Sequence, residues 1–297
     1  MSHFNTSQTN DITLSINQQH RSKLRTQYFS ESEYHTDPGQ LAGRSFNLFT
    51  GGRAYFIIKF LSIILRSRRI ALSDKMDANE WARASIDIMR LLERCGAVFH
   101  ITGFDNIRHL DEPVIFISNH MSTLETMIFP VLIAPFMDVT FVVKESLVSM
   151  PLFSPTMRSR DPIVVSRANS REDLVKVISE GTEKLANGTS IVIFPQSTRR
   201  EYFNPDEFNS LGVKLASRSG KRIVPMAIRT DFWKNGKLIK DLGPFDRSIP
   251  VNIKFGELME VTGNGREEQQ KIVAFVLENL KQWGAKVAER VPDHPSS

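Results

Sequence analysis

The chain has 297 residues, of which 41% are hydrophobic and 24% charged, and it carries a formal net charge of +5. These values predict a sizeable hydrophobic core in one large domain with smaller appendages. The weak positive charge favours anionic partners without choosing among nucleic acid, membrane headgroups and phosphorylated metabolites. The single cysteine, Cys95, excludes an internal disulfide and a cysteine-based metal cluster, and it is typical of a reducing compartment.

The amino-terminal part of the chain predicts a mobile tail followed by an apolar helix. Residues 1–45 are rich in Ser, Asn, Gln and Thr, and they lack the pattern of a secretory signal. The first apolar stretch, AYFIIKFLSIIL at 54–65, is too short to span a bilayer, which needs about 20 residues. The basic run RSRR at 66–69 follows it, so the stretch suits either a helix at a membrane interface or a core helix with a solvated end.

From about residue 110, short β-branched runs alternate with longer amphipathic segments. Most of these runs are continuously apolar, which is typical of strands covered on both faces. The predicted strands are 113–118, 139–143, 162–166, 190–194, 223–228 and 251–255.

Predicted helices lie between and around these strands. One covers 79–101 before the first strand, and another covers 170–187 with Ser170 as its amino-terminal cap. Further helices are predicted over 209–220 and near the carboxyl terminus. The alternation predicts an α/β fold with a mixed, substantially parallel sheet flanked by helices. We expect this domain to occupy 99–262, with a terminal helix and tail over 263–297.

The segment SNHMSTLETMIFP places His120 just beyond a predicted strand and Glu125 five residues later. Functional groups of such sheets lie where strands end and helices begin. If His120 precedes the helix and Glu125 lies in its first turn, the carboxylate can orient the imidazole as a general base. The alternative is that Ser122 or Thr123 only caps a helix and His120 is an ordinary loop residue.

Three further strand exits carry cations. In IVIFPQSTRR, a buried strand ends at Pro195 and is followed by Gln196, Ser197, Thr198 and the paired arginines Arg199 and Arg200, whose guanidinium groups suit phosphate oxygens. Lys144 and Arg167 follow two other predicted strands. Together with His120, these residues suggest a pocket for an anionic, hydroxyl-bearing substrate, although an exposed basic loop would have the same sequence.

These motifs, taken in order, resemble those of the glycerolipid acyltransferase family, to which bacterial lysophosphatidic acid acyltransferases belong. The first motif of the family is His-x4-Asp, here His120 and Glu125, and its third motif is Phe-Pro-Glu-Gly-Thr-Arg, here FPQSTR at 194–199. Its remaining blocks match Lys144 with Arg167, and the apolar strand containing Pro225. The resemblance spans roughly residues 100–230, and four ordered blocks are far more specific than any single one.

The resemblance implies an O-acyltransferase that transfers an acyl chain from acyl-CoA or acyl carrier protein, as co-substrate, to a lysophospholipid such as 1-acylglycerol-3-phosphate, giving phosphatidic acid. His120 would be the base and Glu125 its orienting group. The substrate-binding set would be Lys144, Arg167, Gln196, Ser197, Thr198 and Arg199. No cofactor, metal or nucleic acid is expected.

The resemblance also favours the interfacial helix. Residues 46–98 would associate with anionic phospholipid at the cytoplasmic face of a membrane, as a peripheral or monotopic protein. The chain departs from the family pattern at Glu125, which is one methylene longer than Asp, and at Gln196 and Ser197, which replace Glu-Gly. These changes put the acceptor preference in doubt.

Other functions have weaker support in the sequence. A serine hydrolase of lipid esters would need Gly-x-Ser-x-Gly, and the sequence contains no such pentapeptide. Walker loops and His-Glu-x-x-His are absent as well. Two alternatives stay open: a non-catalytic lipid-binding member of the fold, and an acyltransferase with a different hydroxyl acceptor.

Overall fold

The computed structural model describes residues 29–37, 53–196, 198–236 and 241–288. Within these residues, eight strands form one sheet in the order β1-β2-β8-β7-β3-β6-β4-β5. The strands are β1 (Glu33–His35), β2 (Phe99–Thr102), β3 (Ile115–Ser118), β4 (Val139–Lys144), β5 (Ile163–Val165), β6 (Ser190–Ile193), β7 (Ile223–Arg229) and β8 (Val251–Phe255).

The sheet is mixed and substantially parallel, as the sequence predicts. The run β7-β3-β6-β4-β5 is parallel throughout. Strand β8 is antiparallel to β7 and parallel to β2, and β1 is antiparallel to β2. All four residues of β3 and of β6 are buried, because helices cover both faces of the central strands.

Nine helices cover the sheet within the described part of the chain. They are α1 (Arg53–Leu72), α2 (Ala78–Arg94), α3 (Asp105–Arg108), α4 (Leu124–Ile133), α5 (Glu145–Ser149), α6 (Ser154–Arg158), α7 (Ser170–Ala186), α8 (Leu211–Ser219) and α9 (Arg266–Gln282).

Side chains alternate between two hydrophobic layers. On β3, Phe116 faces the layer formed with α1, α2 and α4. Its neighbours Ile115 and Ile117 face the layer formed with α7, α8 and α9. The result is a three-layer α/β/α arrangement.

The helix predicted over 79–101 is shorter than expected. Helix α2 ends at Arg94, and residues from Phe99 form β2 instead. Gly96 stops the helix because its φ of 99° lies in the left-handed region, and a Cβ there would come within 2.9 Å of the Arg247 side chain. The cap of α7 also differs, since Asn169, and not Ser170, accepts hydrogen bonds from the first backbone N–H groups.

Residues 29–37 correct the prediction of a mobile tail over 1–45. Strand β1 pairs with β2, and Phe29 is buried against Phe104 with a ring-centroid distance of 4.7 Å. The polar composition of the tail does not predict this strand, because the strand is held by only one buried aromatic residue and three residues paired with β2. The rest of the predicted tail, 1–28 and 38–45, lies outside the described residues.

Helix α1 is apolar on two opposite faces. Phe56, Phe60 and Ile64 are buried in the core, as the core-helix alternative predicts. The opposite face exposes the apolar side chains Ile58, Leu61, Leu65 and Leu72. Among the described helices, none combines the length and the apolar character that crossing a membrane requires.

Helix α4, which carries Glu125 and contains Pro130 in its interior, is held against α2 by Ser85. The Ser85 hydroxyl of α2 donates to the Met127 carbonyl at 2.7 Å and accepts from the Val131 N–H at 3.0 Å. Ser85 therefore bridges a backbone pair that would bond directly in a regular helix, and it fixes the position of α4 beside the sheet.

Candidate active site

The site lies at the carboxyl-terminal edge of the sheet, at its centre. Strands β6, β3 and β7 are parallel neighbours, so their carboxyl ends meet at one edge. His120 follows β3, Gln196 and Arg199 follow β6, and Thr230 follows β7. The topology thus brings together residues separated by about a third of the chain.

His120 and Glu125 form the pair that the sequence predicts. Glu125 lies in the first turn of α4 and points back toward the preceding loop. Its Oε1 is 2.9 Å from His120 Nδ1. The alternative that His120 is only a loop residue beside a helix cap does not account for this contact.

The Glu125 carboxylate is completely buried and accepts hydrogen bonds at both oxygens. Besides His120, Oε1 accepts the backbone N–H groups of Met121 at 2.7 Å and Ser122 at 2.8 Å. Oε2 accepts the hydroxyls of Ser122 at 2.9 Å and Thr230 at 2.6 Å. These five donors all favour an ionised acceptor.

The balance of these interactions lowers the pKa of Glu125. Burial alone would raise it, but the hydrogen bond and the charge of His120, with the bonds from Thr230 and Ser122, outweigh the burial. Glu125 is therefore a carboxylate at neutral pH. Since a carboxylate can only accept, Nδ1 of His120 carries the proton and Nε2 has the free lone pair.

Phe194 and the surrounding backbone fix the imidazole ring. The Phe194 ring stacks on it with a centroid distance of 4.3 Å and an interplanar angle of 21°. The His120 side chain is 13% exposed, so solvent or a substrate can still reach it. With Nδ1 bound to Glu125, the group available for proton transfer is Nε2.

Gln196 holds the backbone of His120. Its Oε1 accepts the His120 N–H at 2.8 Å, and the side chain is buried. On the other side, the Arg200 N–H donates to the His120 carbonyl at 3.0 Å. The substrate-binding role of Gln196 stays a prediction, and the structure adds that its side-chain carbonyl holds the backbone of His120.

Arg199 lies beside the start of α4, close to the His–Glu pair. Its Nη1 donates to the Thr123 hydroxyl and to Asp241 Oδ1, the latter at 2.6 Å. The Thr123 hydroxyl also donates to Asp241 Oδ1, at 2.9 Å. Arg199 thus binds an anionic oxygen next to the predicted base, with Asp241 supplying that oxygen.

The other predicted binding residues lie farther from His120. Lys144 is exposed at the end of β4, and Arg167 is exposed two residues beyond β5. At roughly 4.8 Å per strand, β4 and β5 are about 10 and 14 Å from β3. Arg167 adopts a φ of 61°, and its N–H donates to Asp173 Oδ2 at 2.7 Å. Its backbone therefore belongs to a turn at the sheet margin.

The remaining two predicted residues adjoin Gln196. Thr198 is half-buried in the loop between β6 and Arg199. Ser197 lies outside the described residues.

Three residues of the site were not predicted. Thr230 carries a weak signal, since it is a polar residue directly after an apolar strand. Phe194 appears in the third motif without an assigned role. Asp241 has no local signal, because its place beside Arg199 depends on the connection between β7 and β8.

The fold and the site define an α/β protein equipped for general-base activation of a hydroxyl beside an anion-binding arginine. If His120 takes up a proton, the Glu125 carboxylate would stabilise the positive charge on the imidazole. Comparison with known proteins finds a match for this part of the chain. Residues 98–229, which contain His120, Glu125 and Arg199, match the model of the Acyltransferase family.

Individual relatives extend the similarity over most of the chain. A 1-acyl-sn-glycerol-3-phosphate acyltransferase of Pseudomonas aeruginosa is 25% identical over 250 residues, covering 82% of this chain and 89% of the relative. One from Borreliella burgdorferi is 25% identical over 199 residues, covering 67% and 75%. The crystal structure of the 1-acyl-sn-glycerophosphate (LPA) acyltransferase PlsC from Thermotoga maritima has the same fold. Its TM-score is 0.59 at 19% identity, with 83% of this chain and all of that chain covered.

Proposed function

We propose that the protein transfers an acyl chain from an acyl thioester to the free hydroxyl of 1-acylglycerol-3-phosphate, giving phosphatidic acid. The observation that carries this proposal is the 2.9 Å contact between His120 Nδ1 and the buried Glu125 carboxylate, with Arg199 beside it. The names of the relatives from Pseudomonas aeruginosa and Borreliella burgdorferi support this acceptor.

In this reaction, His120 Nε2 takes the proton of the acceptor hydroxyl as its oxygen attacks the thioester carbonyl carbon. The C–S bond of the tetrahedral intermediate then breaks. The leaving thiolate takes the proton from the imidazolium, and the neutral base is restored. Both substrates meet in one site, so no acyl-enzyme is required. Glu125 keeps the reactive tautomer and stabilises the cation between the two transfers.

The acceptor phosphate would bind Arg199, with Thr123 and the amino terminus of α4 next to it. This position lies three residues from His120 along the chain, which suits a hydroxyl and a phosphate on one glycerol unit. Lys144 lies at the end of β4, two strands from β3, and its side chain would extend toward the phosphate. The donor, acyl-CoA or acyl carrier protein, is a co-substrate, and the mechanism requires no cofactor.

Membrane association forms a further part of the proposal. The exposed face of α1 carries Ile58, Leu61, Leu65 and Leu72, and Arg69 is exposed on the same helix, whereas Arg66 pairs with Asp87. Apolar side chains can enter the interface while Arg69 binds anionic headgroups. We infer a peripheral protein at the cytoplasmic face, where an amphiphilic acceptor is available.

Replacing the base tests the proposed chemistry. His120→Ala should lower transfer of a labelled acyl chain onto 1-acylglycerol-3-phosphate by at least about 10²–10⁴-fold, the usual contribution of a general base. The control is His109→Ala, which removes an exposed histidine from the end of α3. Running acyl-CoA and acyl carrier protein donors in parallel identifies the carrier. Full transfer by His120→Ala would refute the assignment of the base.

Replacing the exposed leucines of α1 tests membrane association. The double substitution Leu61→Glu and Leu65→Glu should reduce co-sedimentation with anionic vesicles, because the glutamates lose the apolar burial and are repelled by the anionic headgroups. Val175→Glu is the matched control, since Val175 is 63% exposed on α7, on the opposite side of the sheet. Equal sedimentation of all the variants would contradict the role of α1.

A further inference from the structure

The anion-binding position beside His120 is already occupied by a carboxylate of the protein. Asp241 Oδ1 is 2.6 Å from Arg199 Nη1 and 2.9 Å from the Thr123 hydroxyl. Both donors therefore converge on one oxygen, as they would on an oxygen of a phosphate. The Arg199 side chain is 17% exposed and that of Asp241 is 33% exposed. The ion pair is open to exchange with a ligand from solvent.

The same donors cannot serve Asp241 and an acceptor phosphate together. Both N–H groups of Arg199 Nη1 are engaged, one by the Thr123 hydroxyl and one by Asp241 Oδ1. Because like charges also repel at short range, a phosphate oxygen that takes the Asp241 position on Nη1 displaces the carboxylate. A carboxylate carries one negative charge, whereas a phosphomonoester carries about −1.5 to −2 at neutral pH. A phosphomonoester is therefore the stronger competitor for Arg199. A phosphodiester, with one charge, has no such advantage over Asp241.

We propose that Asp241 is a specificity-determining residue, which competes for Arg199 and selects phosphomonoester acceptors over phosphodiester lysophospholipids. The inference rests on the proposed function, because it assumes that Arg199 receives the acceptor headgroup. It concerns a residue outside the four sequence motifs, placed at the site by the connection between β7 and β8. The selection is made by displacement: a headgroup binds only if it outcompetes the protein's own carboxylate.

Two acceptors that differ in headgroup charge test the proposal on the full-length protein. Initial rates are measured with lysophosphatidic acid and with lysophosphatidylcholine, in the same mixed micelles and with a fixed acyl donor. Asp241→Asn keeps the side-chain size and removes the charge. It should lower KM for lysophosphatidic acid by about fivefold, the size expected for a partly exposed ion pair. It should also raise the relative kcat/KM for lysophosphatidylcholine.

Asp231→Asn is the matched control. Asp231 lies in the same connection and forms a partly buried ion pair with Arg229 at 3.2 Å. If Asp231→Asn lowers KM as much as Asp241→Asn does, the effect is one of general charge, and the proposal is wrong. A raised or unchanged KM in Asp241→Asn also overturns it, because Asp241 would then organise Arg199 or be irrelevant to the headgroup. Asp241→Ala should reproduce the direction of Asp241→Asn.

A binding measurement separates this inference from the proposed reaction. Calorimetric titration with glycerol 3-phosphate should show tighter binding to Asp241→Asn than to the wild type, and loss of binding when Arg199→Ala is added. This result, together with a wild type that transfers no acyl chain, would retain the competition and refute the reaction. Acyl transfer without any change in binding would refute the competition alone.

Discussion

Two buried glutamates lie in different regions of this protein and respond to burial in opposite ways. Glu125, at the carboxyl-terminal edge of the sheet, accepts five hydrogen bonds, and its pKa is lowered. Glu93, on α2 near the first strand, accepts two hydrogen bonds at Oε1, both of 2.7 Å, from Tyr34 and Thr36. Within the described residues, its Oε2 has no hydrogen-bond partner.

Burial raises the pKa of Glu93, and the bonds from Tyr34 and Thr36 offset only part of that rise. Burial raises the pKa of both carboxyl groups, and the comparison shows that the hydrogen-bond donors and the neighbouring histidine charge decide the direction of the net shift. Both oxygens of Glu125 accept hydrogen bonds, and the ionised carboxylate orients His120. Glu93 instead serves as a structural acceptor that holds strand β1.

The largest effect is expected from removing the charge of Glu125. Glu125→Gln keeps an oxygen for His120 Nδ1, and the Ser122 and Thr230 hydroxyls can rotate to accept from the new amide. Acyl transfer should fall by about 10²–10³-fold, because the imidazolium loses its counter-ion. Steady-state kinetics should place the loss in kcat.

The stability of the same variant gives a second measurement. A lowered folded-state pKa stabilises the wild type above the ordinary glutamate pKa of about 4.3 and loses that contribution as the pH falls through the folded value. Glu125→Gln should therefore lose less stability on acidification than the wild type does. An equal loss of stability in both proteins would contradict the lowered pKa.

A smaller effect is expected from Thr230, which donates to Glu125 from the end of β7. Thr230→Val removes one of the five donors. A buried hydrogen bond contributes about 1 kcal/mol, so kcat should fall about fivefold. The acid limb of the pH–rate profile should move toward higher pH, because the ionised form of Glu125 has lost a donor. Thr230→Ser, which keeps the hydroxyl, should retain the wild-type profile. A lower rate without a shifted profile would mean that Thr230 acts only through packing.

The smallest effect is expected from Glu93→Gln. A raised folded-state pKa favours folding below the ordinary glutamate pKa, and this contribution is lost as the pH rises through the folded value. Gln keeps the Oε1 acceptor and does not ionise, so urea unfolding should show a flatter pH dependence for the variant between acidic and alkaline pH. Acyl transfer should be unchanged, since the hydrogen bonds of Glu93 go to Tyr34 and Thr36 and not to the residues around His120. A steeper pH dependence would overturn the assignment of a raised pKa.

Most of the fold could be predicted from the sequence, because its central strands carry strong local signals. The run at Ile115–Ser118 is largely apolar, and the run at Val251–Phe255 alternates apolar with polar residues; both are strands. Strands β1 and β2 were missed for different reasons. Phe99–Thr102 continues an apolar pattern that suits a helix as well as a strand. Glu33–His35 is a polar strand whose docking depends on distant partners.

The site was predictable where its residues are close in sequence. His120 and Glu125 belong to one segment, so a helix start was enough to predict their contact. The role of Gln196 was not, because it depends on the packing of the loop after β6 against the loop after β3. Thr230 and Asp241 lie more than 100 residues from Glu125 and Thr123. Such contacts are set by strand order, which local patterns do not encode.

The two hydrogen bonds that hold the His120 backbone have a consequence for engineering. The His120 N–H donates to the Gln196 side chain, and the His120 carbonyl accepts from the Arg200 N–H. The first and third motifs therefore form one exchangeable unit. A chimera that imports only the segment around Gln196 from a relative, to change the acceptor, will also displace the base. Transplanting both segments together should change the acceptor without a loss of turnover.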